Sequence, residues 1–176
     1  MNEEVIKKIA EQHAGNVETH TEDKKKIVTW LVFSMGEERF AIASTSVSEI
    51  IRDVEVYPLP FVPSYLEGVL NRRGDPYTVI DPLRILERKT DDGKETSHSD
   101  VPLFLVLELK DDQLCLHISD ILFFHETAEE DLRVFMDKDK NNISFYKGTV
   151  EYNHNEIPVL DADAFEQRLR RDLGSS

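Results

Sequence analysis

Residues 65–86 read Tyr65-Leu66-Glu67-Gly68-Val69-Leu70-Asn71-Arg72-Arg73-Gly74-Asp75-Pro76-Tyr77-Thr78-Val79-Ile80-Asp81-Pro82-Leu83-Arg84-Ile85-Leu86. Eighty residues later the template returns over 145–166: Gly148 stands where Gly68 does, Val159 where Val79 does and Asp161 where Asp81 does. The segments upstream also repeat, at an offset near 74, with Phe33 falling on Leu107, Phe40-Ala41-Ile42 on Leu114-Cys115-Leu116, and Val47 on Ile121. Self-similarity over this span means two copies of one small unit packed against each other.

Each copy has the same grammar. Ile27–Met35 is β-branched and aromatic, turns at Gly36-Glu37-Glu38, and returns through Phe40 and Ile42, which is a hairpin. Ser44 to Ile51 has a cap-like start with Val47, Ile50 and Ile51 at helical spacing, so a short helix is expected there. Pro58, Pro60 and Pro63 mark a bend, after which Leu66–Asn71 and Tyr77–Ile80 form a second hairpin across Arg73-Gly74-Asp75. Asp81 before Pro82 has the form of a helix N-cap with proline in the first turn. Residues 87–100 are charged and act as a linker. Pro102–Leu109 with Gln113–Ile118 then repeats the first hairpin, and Ile121–Phe124 is a further strand. Thr127 with Glu130 suggests a capping box for a helix to about Met136. Ile143–Tyr152 with Glu156–Leu160 repeats the second hairpin, and Asp163-x-x-Glu166 opens a terminal helix.

About five short strands per copy cannot hide two faces as a flat sheet. Curling into a small barrel removes most edges and fills the interior. The expected fold is therefore mainly β: two pseudo-symmetric five-stranded barrels, at about 27–86 and about 101–161, with short corner helices and a terminal helix over 162–173. A groove is expected between the barrels. Residues 1–26 are polar, with only Val5, Ile6 and Ile9 as an apolar stripe, and read as a mobile tail.

Composition narrows the function. A net charge of −14 disfavours nucleic acid, whose binding needs clustered cations, and the basic runs Lys24-Lys25-Lys26 and Arg168 with Arg170-Arg171 are short and offset by acids. No apolar run is long enough to span a membrane, so no membrane insertion is expected. The N-terminus lacks the pattern of a signal peptide, and the lone Cys115 fits a reducing cytosol, so a cytoplasmic location is expected.

The sequence offers no catalytic constellation. Asp81 and Asp161 are explained by capping rather than by paired acid–base work. Asp137-Lys138-Asp139-Lys140-Asn141 opens like a calcium loop, but Asn142 stands at the turn glycine and Gly148 at the bidentate glutamate. The six histidines are scattered, Cys115 sits between Leu114 and Leu116 with no activating partner, and the glycines form no phosphate loop. No cofactor, metal or catalytic residue is expected. Arg72 reads as solvated, whereas Arg73, beside Gly74 on a rigid hairpin, is a forked donor suited to a partner's carboxylate or carbonyl groups. Ile50 is assigned to the core, and Val47 is split between core and groove.

Val47-x-Glu49-Ile50-Ile51, Pro58-x-Pro60, Pro63-x-Tyr65-x-x-Gly68-Val69-x-Asn71-x-Arg73-Gly74 and Val79-x-Asp81 together resemble the CheW coupling proteins of bacterial chemotaxis, from about Ile27 to Leu169. The resemblance implies two Src-homology-3-like barrels and a non-enzymatic adaptor. Such an adaptor holds the helical cytoplasmic tip of a chemoreceptor in the inter-barrel groove and binds the regulatory domain of the CheA histidine kinase, usually through the second barrel. It is recruited in this way to membrane-associated receptor arrays. The motif positions tied to receptor contact fall on Val47, Glu49, Gly68 and Arg73. The chain departs from the family pattern at Arg72 (usually leucine), Thr78 (usually proline), Pro82 (usually leucine) and Ser119 (often aspartate). A diverged scaffold that binds only receptors or other CheW-like domains is the alternative.

Overall fold

A computed structural model describes residues 25–87, 101–135 and 144–174. The tail stripe, most of the linker and the calcium-like run lie outside these residues. Among the described residues twelve strands form two sheets. In chain order they are β1 (Ile27–Met35), β2 (Glu38–Ala43), β3 (Val47–Arg52), β4 (Val56–Tyr57), β5 (Leu66–Arg72), β6 (Asp75–Ile80), β7 (Leu103–Leu107), β8 (Leu114–Ile118), β9 (Asp120–Ala128), β10 (Arg133–Val134), β11 (Tyr146–Tyr152) and β12 (Asn155–Leu160). Helix α1 is Pro82–Ile85 and helix α2 is Ala162–Gly174.

The first sheet has the order β10-β11-β12-β2-β1-β9 and the second β3-β7-β8-β6-β5-β4. Each holds five principal strands plus a two-residue edge strand, β10 or β4. The sheets are not built from consecutive halves, which differs from barrels at about 27–86 and about 101–161. Hairpin β1–β2 joins the second half's strands, and β7–β8 joins the first half's. The joints are parallel ladders: Val159 pairs with Ala41 in one sheet, and Thr78, Val79 and Ile80 pair with Leu114, Cys115 and Leu116 in the other. Val79↔Cys115 and Val159↔Ala41 are the same contact under the sequence repeat. A parallel joint requires a long crossover connection, and both of these ladders join segments distant in the chain.

The packing follows the exchange. The largest core cluster mixes Phe33, Phe40, Leu31 and Ile80 with Leu105, Leu116, Phe165 and Leu169, from both halves. Helix α2 lays Phe165 and Leu169 into it, and the Tyr65 hydroxyl donates to Asp172 at 2.8 Å. Asp81 is fully buried and its Oδ1 accepts from the Leu83 and Arg84 N–H groups at 3.0 and 3.3 Å. Asp161 does the same for the Asp163 N–H at 3.1 Å, so the repeated aspartates are helix caps.

Two expected helices are absent. Ser44–Ser46 makes only a 3₁₀ turn before Val47–Arg52 runs as a strand against β7. Thr127 belongs to β9, where its hydroxyl accepts from the Trp30 indole N–H at 2.9 Å, and only Glu129–Asp131 turns. In both places β-branched residues met a neighbouring strand, and pairing overrode local helical spacing. Ile50 is also not core: Ile51 is 3% exposed and Ile50 41%.

The two halves are not identical at their joints. The Thr78 N–H donates to the Gln113 carbonyl at 2.8 Å, which extends the β6·β8 ladder. Its counterpart Pro158 has no N–H to give, and the β12·β2 ladder shrinks to one pair. A cleft of about 570 Å³ opens there, between Glu38 and Arg39 on one side and Ile157 and Pro158 on the other.

Three expectations follow. Thr78→Pro removes the added bond and should lower stability by about 1 kcal/mol in urea unfolding, with the fold retained as at Pro158. A Cβ on Gly148 would lie 2.2 Å from the Arg133 carbonyl oxygen. Gly148→Ala should therefore cost about 2–4 kcal/mol in the same assay, because a backbone must move. Finally, the Arg168 guanidinium, aided by the Tyr65 hydroxyl, holds the Asp172 carboxyl below its usual value. A group so depressed stabilises the fold above its unfolded-state value and loses that contribution as pH falls through the folded one. Stability measured below about pH 4 should then fall less steeply in Asp172→Asn than in the wild type.

Candidate functional site

The site lies where the two sheets present β3 and β9, each an edge strand of its sheet. A β-bulge between Val47 and Glu49 breaks the pairing of β3 with β7. Such an insertion turns successive side chains to one side, and Val47, Ser48, Glu49 and Ile50 all line one open cavity of about 210 Å³. Leu31 and Ser44 close its floor, and Phe124 of β9 stands opposite. Phe124 is 61% exposed, and beside Ile50 it forms an apolar lip that nothing in the described residues covers.

Phe124 was not among the expected site residues, although the repeat contained the signal. Val47 falls on Ile121, so Ile50 falls on Phe124, and the structure bears this out: Ile50 pairs with Leu105 as Phe124 pairs with Leu31. The groove is thus lined by matching positions of the two copies. At its end, the Arg52 Nη2 comes within 3.9 Å of the Asp120 Oδ1 across the seam.

The polar flank comes from the tip of the β5–β6 hairpin. Arg73 and Gly74 both adopt positive φ, 55° and 97°, and the Asn71 Oδ1 accepts from the Gly74 N–H at 3.0 Å. This tight turn projects Arg72 and Arg73 toward β3. Arg72 is not solvated as expected. Its Nε donates to the Glu49 Oε2 at 3.2 Å, its Nη2 contacts Oε1, and its side chain is 32% exposed. Arg73 stays at 3.7 Å from Oε1 with its side chain 76% exposed. The Arg72 hydrogen bonds hold the Glu49 carboxyl below the usual range, against a smaller opposing effect of burial.

Val47, Glu49 and Arg73 therefore come together at one flank, joined by Arg72. Gly68 does not reach the surface: it is buried at φ 150°, and a Cβ on it would lie 2.1 Å from the Tyr57 carbonyl oxygen. Its place is structural, letting β4 cross the hairpin that carries the arginines, as Gly148 does for β10.

Elsewhere, Cys115 is fully buried and its thiol is pushed up to about 12 by that burial, so it is no thiolate nucleophile. His117 is largely buried, with Nδ1 2.8 Å from the Glu67 Oε2 and its ring tilted against Phe104. Among the described residues no group of histidine, cysteine and carboxylate side chains is arranged to hold a metal, and no helix is long and apolar enough to cross a membrane.

Known proteins resemble the chain over this architecture. A chemotaxis protein CheW of Treponema pallidum is 27% identical over 106 residues, covering 58% of this chain and 60% of that protein. Protein FrzA of Myxococcus xanthus is 38% identical over 56 residues, 32% of this chain and 35% of that protein. These matches span less than two thirds of either relative's length. Among solved structures, the scaffolding protein TtCheW from Thermoanaerobacter tengcongensis shares the fold at a TM-score of 0.65 and 20% identity, covering 77% of this chain and 90% of that one. The family model for the CheW-like domain matches residues 29–169, the whole two-sheet body, and the chain belongs to the CheW-like domain family.

Proposed function

We propose that the chain is a non-enzymatic, cytoplasmic adaptor of chemotaxis signalling, which couples the helical tip of a chemoreceptor to the regulatory domain of the CheA histidine kinase. The observation that carries this reading is the open groove between β3 and β9. It offers an apolar lip of Ile50 and Phe124, a floor of Leu31, and a charged flank of Glu49, Arg72 and Arg73. That combination suits an amphipathic helix, whose apolar face supplies affinity while polar pairs at the rim set its register.

An adaptor without an active site acts only through differential binding. It must favour one arrangement of kinase and receptor by its contacts to both. Each contact need not be strong, because recruitment of linked copies to a membrane-associated receptor array raises the effective concentration. We assign the kinase to the second half, where the rings of Phe123, Tyr152 and His125 meet on the first sheet.

The decisive experiment is a kinase-coupling reconstitution with the full chain, CheA and a purified receptor tip fragment. Stimulus-sensitive kinase activity that depends on the chain supports the coupling role. Binding to the tip without any association with CheA would instead favour a scaffold restricted to receptors or CheW-like domains. Arg73→Glu should weaken tip binding by about 1–3 kcal/mol, in the range of a modest hot spot. An unchanged affinity in the folded variant removes Arg73 from the interface.

A further inference from the structure

The flank of the groove contains one carboxylate and two guanidinium groups, and the two are not used alike. Arg72 engages both oxygens of Glu49, through Nε at 3.2 Å to Oε2 and through Nη2 to Oε1. A fork matched to a carboxylate in this way satisfies it from one side and fixes its plane. Arg73 is left at 3.7 Å, outside hydrogen-bond reach, and among the described residues that approach is its one ion-pair contact. The turn holds Arg73 in place while leaving its side chain 76% exposed.

We propose that Arg72 is a specificity-determining positioning residue: it occupies Glu49 internally and thereby frees the Arg73 guanidinium for an aspartate or glutamate on the partner helix. This rests on the receptor-groove reading above. With leucine at position 72, Arg73 is the only cation beside Glu49 and turns inward to it, so the groove loses its outward donor. With arginine there, Glu49 cannot compete for Arg73, and the flank selects a helix carrying an acid at that register. Arg72 is itself half-buried along β5 and contributes through Glu49. The Glu49 carboxyl, already held low by Arg72, reports the arrangement directly.

The test titrates the full chain with a purified chemoreceptor tip fragment from the same genome, at low and high salt. In parallel, the Glu49 side-chain carboxyl is followed by carbon NMR against pH. The wild type should bind and weaken with salt, as a charge pair at an interface rim does. Arg72→Leu should weaken binding about tenfold, flatten its salt dependence and move the Glu49 titration upward, with thermal unfolding close to wild type. Arg72→Lys keeps the charge without the fork and should fall between the two on every readout. Unchanged affinity and salt dependence in Arg72→Leu overturns the proposal and leaves the groove reading intact. Weaker binding that Glu49→Gln in the same Arg72→Leu background does not restore also overturns it, because with no carboxylate to draw Arg73 inward the loss would mean that Arg72 touches the partner itself. If the wild type binds no tip fragment at either salt, the groove reading fails and this proposal fails with it.

Discussion

The parallel pairing of β2 with β12 and of β8 with β6 is the constraint on which the molecule is built. Neither half of the chain can complete a sheet with its own strands, because each has given its first hairpin to the other. Separation of the halves would expose the ladder edges of both sheets and the shared cluster of Phe33, Phe40, Phe165 and Leu105. That combined loss makes the two sheets one cooperative unit rather than two domains on a hinge. The groove between β3 and β9 inherits this rigidity, since each of those strands is pinned to a hairpin from the opposite half: β3 to β7, and β9 to β1.

Apolar burial, not surface charge, supplies the cohesion. Phe33, Phe40, Phe104 and Phe165 are fully buried, and removal of such side chains from a core is costly. Many of the ion pairs are exposed at both partners, as in Lys26–Glu129 and Arg133–Glu151, and pairs of that kind contribute little. Arg72–Glu49 differs because both side chains are about two thirds covered and the contact is forked. It fixes the position of a turn rather than the stability of the fold.

Much of this was legible in the sequence, and what was not has physical causes. The repeat of Gly68 with Gly148 and of Asp81 with Asp161 revealed the twin units, because a close backbone crossing and a buried helix cap admit few residues. The hairpin exchange was invisible, because parallel pairing between distant segments leaves no local signature in β2 or β12. The spacing of Val47, Ile50 and Ile51 suggested a helix, since a bulge shifts strand alternation by one residue and imitates helical periodicity. Val47, Glu49 and Arg73, expected from motif positions, lie close together at the candidate groove. The Arg72 ion pair has no local sequence signal because its partner lies on another strand, and Phe124 is legible only through the repeat that maps it onto Ile50.

The exchange also explains why one protein can present two unlike faces from matching halves. Arg72 bridges to Glu49 from the end of β5, and the corresponding bridge in the second half is Tyr152 at the end of β11, stacked 4.4 Å from Phe123. The two contacts join matching positions of the repeat, but one is an ion pair and the other an aromatic pair. An ion pair at a groove can be redirected by a charged partner, whereas an aromatic pair offers area and shape. The repeat therefore yields two side-chain contacts at matching positions, and the residues at those positions give them different chemistry. In the proposed adaptor, a common frame would keep two partners in fixed relation, and unlike surfaces would keep them from competing for one place.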